Sequence, residues 1–278
     1  MRIYADPWSD YELIDAGDEK KLERWGKVIT IRPDRNAYFR PVLAEKDWYS
    51  KAHFEFHEDS KIWEELKKGN DLNREWQIQF QSVTLQLQLT KFKHLGLFPE
   101  QRLNWDFLQK NLQEDDRFLN LFGYTGVASL VARSVGADVF HCDSVRQIIG
   151  WGKKNMELSG LTDIHWVLED ALKFAQREVK RGRTYEGIIM DPPAFGLGAK
   201  GQRWKIEDKI EELLDLSAQL MNTGGFVILN TYSPRLKEEA ISRICRRRFP
   251  QNQVSVDILC IKSTSGKTIE YGQRTLIV

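Results

Sequence analysis

The chain has 278 residues, 41% of them hydrophobic and 29% charged, which predicts a soluble globular protein with one large domain or two modest ones. Forty-one basic and forty acidic side chains give a net charge of +1, which removes any argument from global charge for a nucleic-acid partner. The three cysteines, Cys142, Cys245 and Cys260, show no C-x-x-C spacing. We therefore expect neither a disulfide framework nor a zinc or other metal site.

The first residues predict where the protein resides. Residues 1–7 lack the apolar core of a signal peptide, and no window approaches the roughly 18 apolar residues of a membrane span. We expect a cytoplasmic protein that does not enter a membrane.

Residues 1–90 predict a small, mainly β domain. Val28–Ile31 reads as a strand stopped by proline, residues 48–57 alternate only in part, and residues 75–80 and 83–89 alternate cleanly between polar and apolar. This stretch is rich in tryptophan, which either provides stacking platforms for bases or fills a small core; the second interpretation is favoured. The tryptophans are Trp8, Trp25, Trp48, Trp63 and Trp76.

Residues 91–278 predict a second domain in which strands alternate with helices. This alternation is typical of an α/β fold with a doubly wound, mostly parallel sheet, here of seven strands ending in a C-terminal antiparallel hairpin. The predicted strands are 118–122, 137–143, 165–170, 185–190, 226–230, 254–261 and 268–278. The predicted helices are 104–112, the segment after Gly126, 148–158, 209–221 with Gly224 and Gly225 as its stop, and 235–248.

The first strand of this domain runs directly into a glycine-bearing turn, Phe122–Gly126, and then into small and apolar residues at helical spacing. We call Phe122–Gly126 the glycine turn. Glycine permits positive φ and lets the backbone approach a ligand closely, so strand, turn and helix together indicate a nucleotide-type pocket. The dinucleotide fingerprint is absent, because G-x-G-x-x-G needs a third glycine beside Gly123 and Gly126.

Acidic residues follow three neighbouring strands of the predicted sheet. Asp143 comes about 20 residues after the glycine turn, where a carboxylate can accept both hydroxyls of a ribose. Asp170 ends the next strand and can accept from an exocyclic amine, and Asp191 ends the one after. A single strand-end aspartate is more often a helix N-cap, but three of them in register with the glycine turn favour a ligand site.

The segment after the fourth strand, Asp191-Pro192-Pro193-Ala194-Phe195, is stiffened by its two prolines. We call it the proline loop. It is suited to present carbonyls and one carboxylate to a pocket, and Phe195 can stack on a flat acceptor or, alternatively, pack into the core.

These motifs, in this order, resemble those of S-adenosylmethionine-dependent methyltransferases with the Rossmann-like fold, nearest to the bacterial group related to large-subunit ribosomal RNA methyltransferases. Residues 96–101 are similar to the segment that precedes the first motif in that group. The resemblance implies S-adenosylmethionine as cofactor, with the glycine turn around its methionine part, Asp143 on the ribose and Asp170 on the adenine amine. The cofactor-binding residues it implies are Phe98, Gln101, Asn120, Phe122, Gly123, Tyr124, Thr125, Gly126, Asp143, Ser144, Asp170, Ala171 and Asp191. Facing the methyl group and the acceptor, it implies Asp191, Pro192, Pro193 and Phe195.

The resemblance also informs the acceptor. Relatives that methylate carbon 5 of cytosine resemble one another in a nucleophilic cysteine after the fifth strand. Residues 230–234 of this chain read Asn-Thr-Tyr-Ser-Pro, and Cys245 and Cys260 fall in a predicted helix and strand. We therefore expect methylation of a base in RNA, ribosomal RNA being favoured, at a nitrogen rather than by cysteine-dependent chemistry.

Other features leave alternatives open. The RNA-binding module that many relatives carry at the amino end is not evident in residues 1–90, so ribosomal RNA as acceptor does not follow from these residues. A noncatalytic RNA-binding protein that keeps the same fold is the alternative function. A nicotinamide-dependent oxidoreductase is disfavoured by the missing third glycine. The oligomeric state stays open. Basic residues suited to phosphate contacts, or to a solvated helix face, are Lys91, Lys93, Lys200, Arg203, Lys205, Arg243, Arg246, Arg247 and Arg248.

Overall fold

A computed structural model describes residues 1–67, 72–197 and 203–278. In this part the chain forms two compact units. One unit comprises Met1–Arg2, Asn104–Ile258 and Gly272–Val278, and the other comprises Ile3–Leu103 and Leu259–Tyr271. The predicted division of the chain into domains at residue 90 stays a prediction.

The helices and strands are named in chain order. The strands are β1 (Arg2–Ala5), β2 (Tyr11–Gly17), β3 (Lys20–Trp25), β4 (Val28–Pro33), β5 (Phe54–His57), β6 (Ile62–Glu65), β7 (Glu75–Phe80), β8 (Val83–Gln88), β9 (Arg117–Leu121), β10 (Asp138–Asp143), β11 (Ile164–Leu168), β12 (Tyr185–Met190), β13 (Phe195–Leu197), β14 (Arg203–Lys205), β15 (Met221–Thr231), β16 (Val254–Lys262) and β17 (Thr268–Ile277). The α-helices are α1 (Glu45–Lys51), α2 (Arg102–Asn111), α3 (Val127–Ser134), α4 (Arg146–Leu158), α5 (Ala171–Lys180), α6 (Ile206–Leu220) and α7 (Glu238–Arg248), and a 3₁₀ turn spans Pro99–Gln101.

The large sheet has the order β1-β16-β17-β15-β12-β9-β10-β11. Strands β15, β12, β9, β10 and β11 run parallel, and β17 pairs antiparallel with β15. The predicted α/β fold, with its C-terminal antiparallel hairpin, is therefore confirmed. One correction concerns strand number: the seven predicted strands are joined by β1, which makes eight.

Helices cover both faces of this sheet. Successive strand residues point to opposite sides, so each face packs on its own set of helices. Leu119 and Leu121 of β9 belong to a core cluster with buried residues of α5, α6 and α7. The side chain between them, Asn120, instead bonds to Ser129 of α3. Both faces are thus buried, which explains why these strands read as continuous apolar runs rather than alternating ones.

Two details around α6 and β15 differ from the sequence prediction. Helix α6 begins at Ile206 and ends at Leu220, before the glycines that were predicted to stop it. Gly224 and Gly225 instead lie inside β15, where Gly224 adopts a φ of +78° and the pairing with β12 is irregular. A glycine pair can bend a strand as readily as it can end a helix, and the sequence pattern does not separate the two cases.

The second unit contains a five-stranded sheet, β2-β3-β4-β5-β6, and the hairpin β7-β8. The β-rich N-terminal region is therefore confirmed, although the partly alternating segment 48–57 holds the end of helix α1 before β5. Trp25, Trp48 and Trp63 are buried, which confirms the core-filling interpretation for these three. Trp8 and Trp76 are half-buried, and each indole N–H donates to a backbone carbonyl.

Candidate functional site

The predicted site residues follow the carboxyl ends of adjacent parallel strands. The register places Leu121 of β9 beside both Cys142 of β10 and Met190 of β12. The chain therefore leaves the sheet three times at the carboxyl ends of these strands, and the glycine turn, Asp143 and Asp191 lie along this row of strand ends. Strand order reverses beside β9, since β10 and β11 follow on one side and β12 and β15 on the other. Open α/β sheets bind ligands at such a switch point.

Backbone hydrogen bonds join these strand ends beyond the last paired residues. Gly123 donates to the Cys142 carbonyl at 3.0 Å, Asp191 donates to the Leu121 carbonyl at 3.3 Å, and Glu169 donates to the Asp143 carbonyl at 3.2 Å. These bonds fix the loops relative to one another, so the site is built on the sheet rather than on independent loops.

The glycine turn holds an unusual backbone conformation. Phe122 and Tyr124 have φ values of +60° and +51°, and Gly126, which precedes α3, has +88°. The left-handed conformation costs a non-glycine residue about 1–2 kcal/mol, so the surrounding contacts must compensate for it. Such strain concentrates at ligand sites because a reversal this tight exposes backbone groups to a pocket.

The glycine turn is supported from beneath by a buried histidine that the sequence analysis did not identify. A Cβ on Gly123 would lie 2.3 Å from His141 Cε1. His141 Nδ1 lies 2.9 Å from Ser129 Oγ, which accepts from the Asn120 amide at 2.9 Å. Burial lowers the pKa of His141 to about 3, so this imidazole is neutral at physiological pH.

A second support comes from α4 and β11. The Asn155 amide donates to the Thr125 carbonyl at 3.1 Å, and both residues are buried. The Trp166 ring lies against Gly126 and Gly152, where a Cβ would meet ring carbons at 3.2 Å and 2.6 Å. Asn120, which was predicted to bind cofactor, is likewise 4% exposed and acts within this supporting layer.

Asp143 connects the end of β10 to the glycine turn. Its Oδ2 accepts from the Tyr124 N–H at 3.1 Å, and its Oδ1 accepts from the Val145 N–H at 2.9 Å. Burial raises the pKa of Asp143 above its usual value, and these backbone donors oppose the rise. The Ser144 N–H is a third backbone donor to this carboxylate, so one of its roughly four lone-pair sites remains for a further donor. Ser144, the next residue, is exposed.

Asp170 is the N-cap of α5, and its carboxylate accepts from the Lys173 N–H at 3.1 Å. The capping role, which competed with the ligand interpretation in the sequence, is thus present, and its proposed adenine contact stays a prediction. Ala171, the first residue of α5, is buried. Two apolar side chains missed by the sequence analysis, Val145 and Leu168, are 47% and 41% exposed at this end of β10 and β11.

The proline loop enters a short antiparallel hairpin made of β13 and β14. Pro192 is buried, Asp191 half-buried, and Pro193 exposed. Phe195 is 65% exposed, so the alternative that it packs into the core is wrong. Trp204 of β14, which no sequence motif marked, donates to the Pro193 carbonyl at 2.6 Å and packs on Phe122 with ring centroids 5.0 Å apart.

Phe98 and Gln101 belong to the other compact unit, where Gln101 is buried. Their predicted contact with cofactor therefore stays a prediction. Lys91 and Lys93 belong to the same unit, and Lys200 lies outside the described residues.

Two of the four arginines of the α7 cluster form ion pairs. Arg247 and Arg248 each pair with Glu211 of α6 at 2.9 Å, and Arg248 also pairs with Asp215. These contacts match the solvated-face interpretation of the cluster, in which the charges join two surface helices. Lys205, near the proline loop, is half-buried and lies 3.8 Å from Asp208.

The cysteines are buried thiols in all three positions. Burial raises the pKa of Cys142 and raises that of Cys245 to about 12, so both stay protonated and weakly nucleophilic. Cys245 lies in α7 and Cys260 in β16, as predicted. In the segment after β15, Ser233 donates to Glu207 at 2.5 Å.

The side chains of Glu55, His57 and Glu64 each place one potential metal-ligand atom within 4.8 Å of the others. The Glu55 carboxylate already pairs with Lys20 at 2.7 Å and accepts from Tyr49 at 2.9 Å, and His57 bonds to Glu64 at 2.7 Å. These partners account for the cluster, and we assign no metal to it.

Comparison with known families identifies this arrangement. The family model of S-adenosylmethionine-dependent methyltransferases matches residues 50–250. The chain belongs to this family. The predicted family, enzyme class and cofactor are therefore confirmed.

Individual relatives agree with the family. A solved structure of a SAM-dependent methyltransferase from Agrobacterium tumefaciens superimposes with a TM-score of 0.93 at 32% identity, over 100% of this chain and 93% of that one. Another methyltransferase structure, complexed with SAH, shares the fold at 17% identity, with a TM-score of 0.79 over 97% of this methyltransferase and 75% of that chain.

Two curated relatives are named for ribosomal RNA. The large-subunit methyltransferase K of Neisseria meningitidis is 27% identical over 86% of this chain and 69% of its own length. The K/L enzyme of Pseudoalteromonas translucida is 32% identical over an aligned region that covers 56% of this chain and 24% of that longer protein. The helices that the structure of this methyltransferase describes are all too short or too polar to cross a lipid bilayer.

Proposed function

We propose that this methyltransferase transfers a methyl group from S-adenosylmethionine to a nitrogen of a base in RNA, in the cytoplasm, with ribosomal RNA as the favoured acceptor. The names of the Neisseria and Pseudoalteromonas relatives support an RNA acceptor. The buried, protonated state of Cys142 and Cys245 and the absence of cysteine from residues 230–234 support nitrogen over cysteine-dependent carbon methylation.

One observation carries the proposal: the Asp143 carboxylate accepts a hydrogen bond from the backbone of the glycine turn. The carboxylate that can bind a ribose hydroxyl therefore lies next to a backbone segment that a ligand can approach closely. The residues present fit the cofactor. Gly123 packs directly on His141, because any Cβ at this position would clash with the imidazole ring. The backbone of the glycine turn can therefore lie close to the sheet. Asp143 retains a lone pair for a ribose hydroxyl, and the exposed Val145 and Leu168 offer an apolar surface for a flat base.

We assign the parts of the cofactor accordingly. Gly123, Tyr124, Thr125 and Gly126, with Phe122, would hold the methionine part, and no side chain caps the N-terminus of α3 beyond them. The positive end of that helix dipole favours a carboxylate nearby. Asp143 and Ser144 would hold the ribose. Asp170 and Ala171 would lie at the adenine, and Asn120 would act from the supporting layer through Ser129. For Phe98 and Gln101, which belong to the other compact unit, cofactor binding stays a prediction of the resemblance.

When bound, S-adenosylmethionine supplies an electrophilic sulfonium methyl group, so a nitrogen lone pair needs only correct alignment to react. The chain supplies that alignment. Asp191 is held by its bond to the Leu121 carbonyl at the edge of the glycine turn, where a carboxylate can orient or accept a proton of the acceptor amine. The exposed ring of Phe195 can stack on the base, and Pro192 and Pro193 keep the loop stiff.

The N-terminal region is proposed to help present the RNA. Its predicted domain, residues 1–90, precedes a methyltransferase domain of residues 91–278. Arg203 and Lys205, which lie in β14 on either side of Trp204, are suited to contact phosphates.

Equilibrium binding and methyl transfer together test this function. Calorimetry should show that wild-type protein binds S-adenosylhomocysteine and that Asp143→Ala weakens the binding. Labelled S-adenosylmethionine should then transfer its methyl group to large-subunit ribosomal RNA from a strain lacking the gene, at a base nitrogen found by mass spectrometry. Binding without transfer would favour the noncatalytic RNA-binding alternative. No cofactor binding at all would refute the proposal.

A further inference from the structure

Trp204 contacts both halves of the candidate site. Its ring packs on Phe122 in the glycine turn, at 5.0 Å between centroids and an interplanar angle of 59°. Its indole N–H donates to the carbonyl of Pro193 in the proline loop at 2.6 Å. One half-buried side chain thus joins the segment assigned to the cofactor with the segment assigned to the acceptor.

The hairpin that carries Trp204 fixes its position. In the β13-β14 pairing Trp204 lies opposite Gly196, and the Ile206 N–H donates to the Ala194 carbonyl at 3.1 Å. Gly196 has no side chain to compete for the space over the hairpin. Trp204 is therefore held at the middle of the three paired positions, and its indole N–H reaches the proline loop.

The two contacts act on segments with little freedom. Phe122 occupies a left-handed conformation, so the aromatic packing of Trp204 helps to hold a strained residue in place. Pro193 is fixed in φ by its ring, so a bond to its carbonyl orients the whole peptide plane. A ring contact and a hydrogen bond of one side chain therefore connect these two segments.

We propose that Trp204 is a positioning residue that couples occupancy of the glycine turn to the conformation of the proline loop. Bound cofactor steadies Phe122, Phe122 steadies the indole, and the indole N–H holds the Pro193 carbonyl in the orientation that presents Asp191 and Phe195. The inference rests on the proposed function, because it takes the cofactor to bind at the glycine turn.

Hydrogen exchange with and without S-adenosylhomocysteine tests the coupling without an RNA substrate. In wild-type protein the ligand should slow exchange both in the glycine turn and at the amides of Ala194–Gly196, the latter by about fivefold or more. Trp204→Phe keeps an aromatic ring at this position and removes the N–H donor, together with part of the ring area. In this variant slowing at the glycine turn should persist, while slowing at Ala194–Gly196 should fall below about twofold.

Trp8→Phe is the matched control. Trp8 is also half-buried and also donates its indole N–H to a backbone carbonyl, that of Gln79 at 2.9 Å, but it belongs to the other compact unit. It should leave the ligand-induced pattern of wild-type protein unchanged. Affinity for S-adenosylhomocysteine should stay within about twofold of wild type in both variants, since neither loses an assigned cofactor contact.

The outcomes separate the two proposals. Ligand-induced slowing at Ala194–Gly196 that survives in Trp204→Phe overturns the coupling, and so does slowing in wild type that is confined to the glycine turn. A tenfold loss of ligand affinity in Trp204→Phe would show that the indole merely supports the pocket, which also overturns it. Wild-type protein that shows no slowing at the glycine turn overturns the proposed function itself.

Discussion

The contact between Gly123 and His141 offers a direct perturbation of the site. In Gly123→Ala the new methyl group would lie 2.3 Å from His141 Cε1, 2.6 Å from Nδ1 and 2.8 Å from Nε2. Carbon atoms in contact prefer about 3.5–4.0 Å, so ring or turn must move by about 1 Å. The ring has little room, because it is fully buried, bonded to Ser129 and packed on Trp166 at 4.5 Å between centroids.

The expected loss of stability follows from this geometry. Forcing extra volume into a packed core costs about 1–3 kcal/mol, and a contact this short with a pinned ring belongs near the upper end. For a chain of this size each kcal/mol lowers Tm by about 2–4 °C, so we expect a decrease of about 5–10 °C. Displacement of the glycine turn by about 1 Å should also weaken S-adenosylhomocysteine binding by tenfold or more and slow transfer by about a hundredfold.

Differential scanning fluorimetry and calorimetry measure the two effects. Gly150→Ala is the matched control, because a Cβ at that exposed position of α4 meets nothing within 4 Å. It should stabilise the protein slightly, by about 0.5–1 kcal/mol, through helix propensity alone. His141→Ala should relieve the clash. The Tm decrease of the double variant should therefore be smaller than the sum of the decreases in Gly123→Ala and His141→Ala.

The reasoning fails if Gly123→Ala melts within about 1 °C of wild type and binds S-adenosylhomocysteine with unchanged affinity. The turn would then have space that the structure does not show. Strict additivity of the Gly123→Ala and His141→Ala effects would likewise show that the two residues do not share one contact.

Three further predictions address charge and thiol chemistry. Asp143→Asn should weaken S-adenosylhomocysteine binding tenfold to hundredfold by calorimetry, since bonds to a charged acceptor are worth about 1.5–3 kcal/mol. Burial raises the pKa of Asp143. As the pH is lowered, wild-type affinity should therefore begin to fall at a higher pH than that at which an ordinary Asp becomes protonated, and an affinity that does not change with pH would contradict this. Burial raises the pKa of Glu100 to about 7, so folding favours the neutral form of this carboxyl group. Urea unfolding should show that the wild-type protein loses stability on the order of 3 kcal/mol as pH rises from about 4.5 to 7, whereas Glu100→Gln does not. Parallel stability profiles of the two proteins against pH would refute this expectation. Iodoacetamide at pH 8 should leave native Cys142, Cys245 and Cys260 unmodified and transfer intact, and rapid inactivation would reveal a nucleophilic thiol.

The sequence predicted the parallel strands because burial on both faces leaves continuous apolar runs, and it predicted β7 and β8 because one wet face leaves strict alternation. It missed β1, a four-residue edge strand in which only Ala5 is buried. A short edge strand carries neither pattern, since its place is decided by a partner far along the chain.

The site divides along the same line. The glycine turn and the strand-end acids were predictable because spacing along a parallel sheet determines which residues share an edge. His141, Asn155 and Trp204 were not, because each acts through a contact with a segment distant in sequence, and nothing local distinguishes a supporting histidine from a core one. A glycine at a turn did signal close approach, but only the structure shows what approaches Gly123.

Strand β1 has a consequence for the order of folding. The Ile258 N–H donates to the Met1 carbonyl at 2.7 Å, and β1 borders β16 in the large sheet. During synthesis β1 must wait until β16, which lies far along the chain, has been made before its neighbour exists. Closing so long a loop is entropically slow, so β1 should be the last strand to dock, and newly made protein should pass through a form with an open sheet border that chaperones can recognise.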